Sequence, residues 1–322
     1  MKAAHLGMLL WVVIVGASFP AVAVMSEGLP PMSLTAIRFA IAAGALLPLM
    51  WRLPNRLPSV PGLALYALMG LCLAGFFGAM FWASHRSTAL SMSTLYVSVP
   101  LVAYCLGRAL GVEPRAGGLL ALLALGAAGA LGLIWAEAEG NLSALHFGTG
   151  EIVFAIGCTG SALYPVLSKW GLERGWLSHS ATLRTFWSLL AGGVLIAGLG
   201  VSLEAPGNLA RMTATDLVVI VYLGVFSSGA TFWLMQRATS VLTPAAVTAY
   251  TYLVPSVSIG LLLINQPDHL GWKWLPGCVL VLFAMTRLLR RDAHSHGRWR
   301  TPENETIESK TAVPSLTNPV PV

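Results

Sequence analysis

The sequence predicts an all-α membrane protein of ten transmembrane helices, arranged as two inverted five-helix repeats. Three observations predict it: a composition rich in apolar and poor in charged residues, ten apolar runs of spanning length, and a set of residues that recurs once along the chain.

Of the 322 residues, 56% are apolar and 10% charged, and the mean hydropathy is +0.74. A water-soluble domain carries about 25% charged residues. A chain with so few cannot cover its surface with polar groups, so lipid takes their place. A spanning helix needs roughly 20 apolar residues. Such runs lie near 6–25, 33–51, 62–83, 90–110, 117–136, 149–168, 180–201, 216–235, 243–264 and 270–289. They are continuous, as in Gly117–Ala136, and do not alternate as barrel strands do. Helices alone satisfy the backbone inside such runs. The first run has Lys2 before it and Ala21-Val-Ala23 near its end, like a secretory signal. It is longer than a signal core and nine more runs follow, so it reads as an uncleaved helix. Cys72, Cys105, Cys158 and Cys278 fall inside runs without paired spacing and read as small core residues.

Charge sets the orientation. With both termini in the cytoplasm, fourteen of the nineteen Lys and Arg residues fall on cytoplasmic segments and three (Arg86, Arg211, Lys273) on the far side. That asymmetry obeys the positive-inside rule and predicts a multi-pass protein of the inner (plasma) membrane. The net charge of +6 is then explained by topological anchors beside anionic lipid, and no nucleic-acid partner is implied. Residues 290–322, rich in Pro, Ser, Thr, Asn and charge, read as a disordered cytoplasmic tail.

The repeat is carried by four matched segments. Leu34-Thr-Ala-Ile-Arg38-Phe39 pairs with Ser180-Ala-Thr-Leu-Arg184-Thr-Phe186, and Gly16-Ala-Ser18-Phe19-Pro20 with Gly160-Ser161-Ala-Leu-Tyr164-Pro165. Phe81-Trp82-Ala-Ser-His85-Arg86 pairs with Phe232-Trp233-Leu-Met-Gln236-Arg237, and Leu95-Tyr96-Val-Ser-Val-Pro100 with Tyr250-Thr-Tyr252-Leu-Val-Pro255. The pairs keep their order, with offsets drifting from about 143 to 155. They divide the chain into repeats 1–140 and 141–289. Five helices is an odd number, so the second repeat enters the membrane from the opposite side. Inverted repeats are a recurring plan of secondary transporters.

These residues resemble the drug/metabolite transporter superfamily, in its EamA-type branch. The resemblance covers about residues 5–289 and is closest over Arg237 to Pro255. That family often has Gly-Glu after its fourth and ninth helices. This chain has Gly111-Val-Glu113 and Asn265-Gln266 there. The resemblance implies export of metabolites, amino acids or drugs through a central cavity lined by helices 1, 3, 4, 6, 8 and 9.

The polar and aromatic residues of those helices are the candidate solute site. A proline inside a helix frees the carbonyl four residues earlier, and a free carbonyl at membrane depth must face protein or a water-filled cavity. Pro100 frees Tyr96 and Pro255 frees Thr251; Pro20 and Pro165 free Gly16 and Ser161. These prolines either line a shared site or only bend helices for packing. Trp11, Ser18, Tyr96, Pro100, Ser161, Tyr164, Tyr250, Tyr252 and Pro255 are the candidate solute-binding residues, the rings stacking and the hydroxyls bonding to solute. Phe81, Trp82 and Trp233, nearer helix ends, read as interfacial belt. Arg38 and Arg184 each sit a turn or more inside a helix start, as snorkelling anchors or as gates at the two mouths.

No Asp or Glu falls near the middle of a predicted span. Intramembrane proton relays use such groups, so facilitation down a gradient is expected. No catalytic constellation, metal-ligand spacing or phosphate loop appears, so neither an enzyme nor a cofactor is expected. The expected function is alternating-access export of a small metabolite or amino acid, with solute and membrane lipid as partners. A multidrug or metabolite proton antiporter, and a non-transporting sensor or assembly partner, are the other readings. Gly/Ala runs such as Ala124–Gly132 allow close helix packing within the monomer or in a homodimer.

Overall fold

The computed structural model describes residues 2–138, 145, 148–257, 260 and 272–298. Among them every long element is a helix: α1 (Lys2–Ala23), α2 (Pro31–Trp51), α3 (Val60–Ser84), α4 (Ala89–Tyr96), α5 (Val99–Ala109), α6 (Gly117–Glu137), α7 (Thr149–Glu173), α8 (Ala181–Leu203), α9 (Ala214–Tyr222), α10 (Thr231–Thr239), α11 (Pro244–Ala249) and α12 (Leu275–Arg298). A π-helical segment, Leu223–Ala230, joins α9 to α10. A 3₁₀ turn, Tyr250–Leu253, continues α11.

Nine helices among the described residues are long and apolar enough to cross a membrane; α4 with α5 makes one, and α9 through α10 another. The run predicted over 243–264 is described only through 257 and at 260, so most of its second half lies outside the described residues. So do 139–144, 146 and 147 of the far-side loop, and residues 299–322 of the predicted tail. The last helix continues past Arg290 to Arg298.

Local chemistry sets the helix ends. Thr88 Oγ1 accepts from Ser91 N, Ser59 Oγ from Gly62 N and Thr243 Oγ1 from Ala246 N, each supplying a partner for an orphan first-turn amide. Gly111 and Gly175 follow α5 and α7 with φ of 78° and 68°. In each, the next amide reaches back to Gly107 O or Gly171 O at 2.9 Å, a left-handed closure that a side chain would strain.

The strongest packing joins residues 2–138 to residues 148–298: α2 on α8, α3 on α7 and α8, α5 on α7 and α11, α1 on α10, and α6 on α12. The close approaches are made by glycine. A Cβ on Gly70 would stand 2.6 Å from Gly192 N, and one on Gly157 2.6 Å from Ala79 Cβ. The Ala124–Gly132 stretch is used within the chain: Gly129 faces the Val281 backbone and Gly126 the Tyr252 ring. Large apolar side chains such as Ile152, Ile156, Val194, Val201, Val218 and Leu282 point outward, where lipid covers them.

Candidate functional site

The helix breaks fall where the prolines free a carbonyl. Pro100 is the second residue of α5, and α4 ends at Tyr96, the residue it frees. Pro255 follows the 3₁₀ turn that contains Thr251. Beside the breaks, Thr251 Oγ1 turns back to Thr248 O at 2.8 Å and Ser98 Oγ to Leu95 O at 2.6 Å. Pro20 and Pro165 leave α1 and α7 unbroken. A break without proline, the π segment Leu223–Ala230, was not legible in the apolar run; its trace is Gly224 and Ser227-Ser228-Gly229, since glycine–serine pairs and π bulges kink helices.

The candidate solute residues fall into three groups. Trp11, Tyr250 and Tyr252 share one buried cluster with α6, α10 and α12. Tyr250 OH lies 2.7 Å from His5 Nδ1. Tyr252 OH has no hydrogen-bond partner among the described residues although the side chain is 2% exposed. Tyr96 packs against Phe76 with ring centroids 5.7 Å apart, beside Ser161. Tyr164 is buried, bonds Ser188 Oγ at 2.9 Å and meets Phe232 edge-on at 5.7 Å. Ser18 bonds the carbonyl of Val15 in its own helix, next to the exposed Phe19, apart from these groups.

Sequence reasoning missed the rings that link Tyr96 to Tyr164. Phe39 meets Phe77 at 5.4 Å and Phe232 at 6.1 Å, both edge-on, and Phe77 leads to Phe76 at 5.2 Å and Phe81 at 6.3 Å. Phe81 is thus part of an internal aromatic wall. Trp82 and Trp233 lie under Arg86 and Arg237, with the guanidinium 4.0 Å and 5.4 Å from the ring centre. The signal was that Phe39 adjoins Arg38 as Phe186 nearly adjoins Arg184.

The two arginines differ sharply. Arg184 is fully buried. Its Nε donates to Gln236 Oε1 at 2.9 Å, Nη1 to Ser178 O at 2.6 Å and Nη2 to Gln236 O at 2.6 Å. Ser168 Oγ donates to the same Gln236 Oε1. Arg38 is half-buried; only its Nη2 is placed to donate, to Ser228 Oγ at 3.2 Å and Ser227 Oγ at 3.4 Å, and its Nε has no partner. An arginine at a helix centre costs roughly 2.5–3.5 kcal/mol by insertion scales, so an incompletely bonded one there needs an explanation.

Carboxylates tie both ends of the bundle. At the end away from the N-terminus, Glu204 accepts from Met32 N, Ser33 N and Ser33 Oγ, capping α2 from the end of α8. Asp216 accepts from Ser26 N and Oγ and from Thr213 N and Oγ. At the N-terminal end Glu113 Oε2 accepts from Ala245 N and caps α11. A surface cleft of about 330 Å³ at that end, lined by Arg56, Trp176 and His179 among others, lies apart from the aromatic wall. Among the described residues no group of three His, Cys, Asp or Glu side chains is placed to hold a metal ion.

A bundle of lipid-facing helices, broken at membrane depth beside buried rings and arginines, is the construction of a polytopic membrane transporter. The chain belongs to the EamA-like transporter family, whose model matches residues 2–135 and 148–290. It is 25% identical over 259 residues, 77% of this chain and 78% of the relative, to a protein of Escherichia coli K12 described as uncharacterized inner membrane transporter YedA. The same match is made to YedA of strains O6:H1 and O157:H7. One solved crystal structure shares the fold, with a TM-score of 0.72 at 17% identity, over 90% of this chain and 99% of the other. The protein is therefore a multi-pass membrane transporter of that family.

Proposed function

We propose that this protein carries a small organic metabolite out of the cell by alternating access. Ten helices, in inverted halves 1–140 and 141–289 with both termini cytoplasmic, would rock about a central site. The observation that carries this reading is the pair of matched breaks: the chain leaves α-helical geometry just before Pro100 and just before Pro255, at repeat-equivalent places. Discontinuous helices facing each other at mid-membrane are how inverted-repeat carriers build a solute site. The two segments matched by the family model fall on the two halves. Polar latches join first-half to second-half residues at both ends, through Glu204 with Ser33 and through Glu113 with Ala245. They resemble the closed gates of an occluded carrier. The carboxylates named above are engaged at helix ends, which supports facilitation over proton exchange.

Cross-linking tests this. The four native cysteines are replaced, and cysteine pairs are placed at Ser33 with Glu204 and, separately, at Glu113 with Ala245. Either disulfide alone should stop flux, and reduction should restore it. Flux that persists with one end locked would exclude alternating access.

Tyr252 offers a smaller test. Tyr252→Phe removes a buried hydroxyl that bonds nothing among the described residues, so stability should hold or rise, by up to about 1–3 kcal/mol. Solute affinity should fall several-fold if that hydroxyl faces solute.

A further inference from the structure

We propose that the Arg38 guanidinium, with the Ser227 and Ser228 hydroxyls, forms an anion subsite at the centre of the bundle that takes the carboxylate of a solute with an apolar body. This rests on the transport reading above and names the solute's headgroup.

Position comes first. Ser227 and Ser228 fall at the middle of the 26-residue helix Ala214–Thr239, so the group that reaches them is near the membrane midplane. Arg38 lies on the same side of α2 as Thr35 and Ala42, both buried, with Ala40 and Gly44 exposed on the other side. Its Nε is enclosed and its Nη2 reaches Ser228 and Ser227 of the π segment, so the guanidinium turns toward that segment and does not snorkel to the near end. The π segment packs tightly on α2: a Cβ on Gly224 would stand 2.7 Å from Ile41 Cγ2 and 3.2 Å from Arg38 O. That contact fixes the guanidinium and the two serines together. π-helical segments within α-helices recur at functional sites.

Charge comes second. Among the described residues no carboxylate pairs with Arg38. Asp216, eleven residues before Ser227 and roughly 16 Å along the helix, is occupied by Ser26 and Thr213. Glu204 is occupied by the first turn of α2. Arg184 shows how the same residue type is satisfied when its role is structural: each nitrogen donates to an oxygen of the chain. Arg38 keeps an unpartnered Nε, and each serine hydroxyl that accepts from Nη2 retains its own hydrogen to donate.

The ligand class follows. One guanidinium and two neutral hydroxyls supply a single positive charge. A monoanion neutralises it, while a dianion would leave net charge in the membrane. The guanidinium fork fits the two oxygens of a carboxylate. Phe232, one turn beyond Ser228 and only partly buried, gives an apolar body something to lie against, with the buried Phe39 edge-on behind it at 6.1 Å.

The test uses the purified full chain in lipid nanodiscs. Benzoate, phenylacetate and isovalerate are titrated against phenylacetamide and phenethylamine, read by tryptophan fluorescence and by the shift in melting temperature. At least one carboxylate should bind, at least tenfold more tightly than the amide or the amine. Arg38→Gln should weaken that binding at least tenfold, Arg38→Lys less, and Ser228→Ala several-fold. Without probe, Arg38→Gln should melt at or above the wild-type temperature, because an incompletely bonded charge has been removed; a purely structural arginine would give a lower value. Should Arg38→Gln not fold, the Arg38→Lys and Ser228→Ala titrations decide. Binding unchanged in the variants, equal affinity for amide and carboxylate, or no carboxylate bound would overturn the subsite. Carboxylate binding without flux in liposomes would count against the transport reading and leave the subsite standing. Equal flux of all probes would do the reverse.

Discussion

Arg184→Ala is expected to prevent stable folding in the membrane. The substitution deletes a fully buried guanidinium and leaves Gln236 O and Ser178 O without their donor. Gln236 Oε1 loses one donor and keeps Ser168. Hydrogen bonds between membrane helices average about 0.6 kcal/mol each, whereas a buried acceptor stranded without its donor costs about 1–3 kcal/mol. The two stranded carbonyls alone amount to roughly 2–6 kcal/mol, against total stabilities of about 5–15 kcal/mol. The cavity left by the side chain adds to this. Low membrane levels and an aggregated gel-filtration profile are the expected readout. Arg184→Lys should recover part of the level, since one ammonium reaches fewer of the acceptors. A monodisperse Arg184→Ala protein with wild-type melting would show that these bonds do not hold α8 to α10.

Gly129→Ala is expected to destabilise the bundle measurably, although it adds a single methyl group. That methyl would stand 2.8 Å from both Val281 N and Val281 Cγ2, and Gly277 on α12 faces Leu133 N at 2.8 Å in return. Backbone atoms cannot rotate away, so α6 and α12 must move apart along their contact. Overpacking of this kind costs about 1–3 kcal/mol. Gly118→Ala on the same helix meets nothing within 4 Å and should be neutral, or more stable by up to about 1 kcal/mol from helix propensity. Melting of the two variants side by side is the check. Equal melting temperatures would mean that the α6–α12 contact tolerates separation.

Most of the fold was legible because burial in lipid writes itself as continuous apolar runs. Pro100 and Pro255 were legible as breaks because proline removes a specific hydrogen bond. The π segment at Leu223–Ala230 was not, since it replaces no donor and sits within an unbroken apolar run. Arg38 and Arg184 were found as a pair, and reading them alike concealed their difference. What separates them is partners far away in the chain: Gln236 and Ser178 for one, Ser227 and Ser228 for the other. Gln236 could have been noticed, as Phe232-Trp233-Leu-Met-Gln236-Arg237 has it where the similar segment Phe81-Trp82-Ala-Ser-His85-Arg86 has His85. The aromatic wall was half read. Tyr96 and Tyr164 drew notice for their hydroxyls, while Phe39, Phe76, Phe77 and Phe232 look like any other apolar residue until distant helices bring their edges and faces together. The carboxylates were placed correctly at helix ends, yet their task of capping another helix depends on tertiary contacts that spacing does not carry.

Trans-stimulated exchange in liposomes tests the transport mechanism most directly. Purified protein is reconstituted, loaded inside with unlabelled solute from a panel of amino acids, organic acids and amines, and given the labelled solute outside, with and without a pH gradient. Saturable uptake of at least one solute, accelerated by the internal load and indifferent to the gradient, is the expected result. Uptake no greater than in protein-free liposomes for every solute, or uptake that requires the gradient, would contradict it.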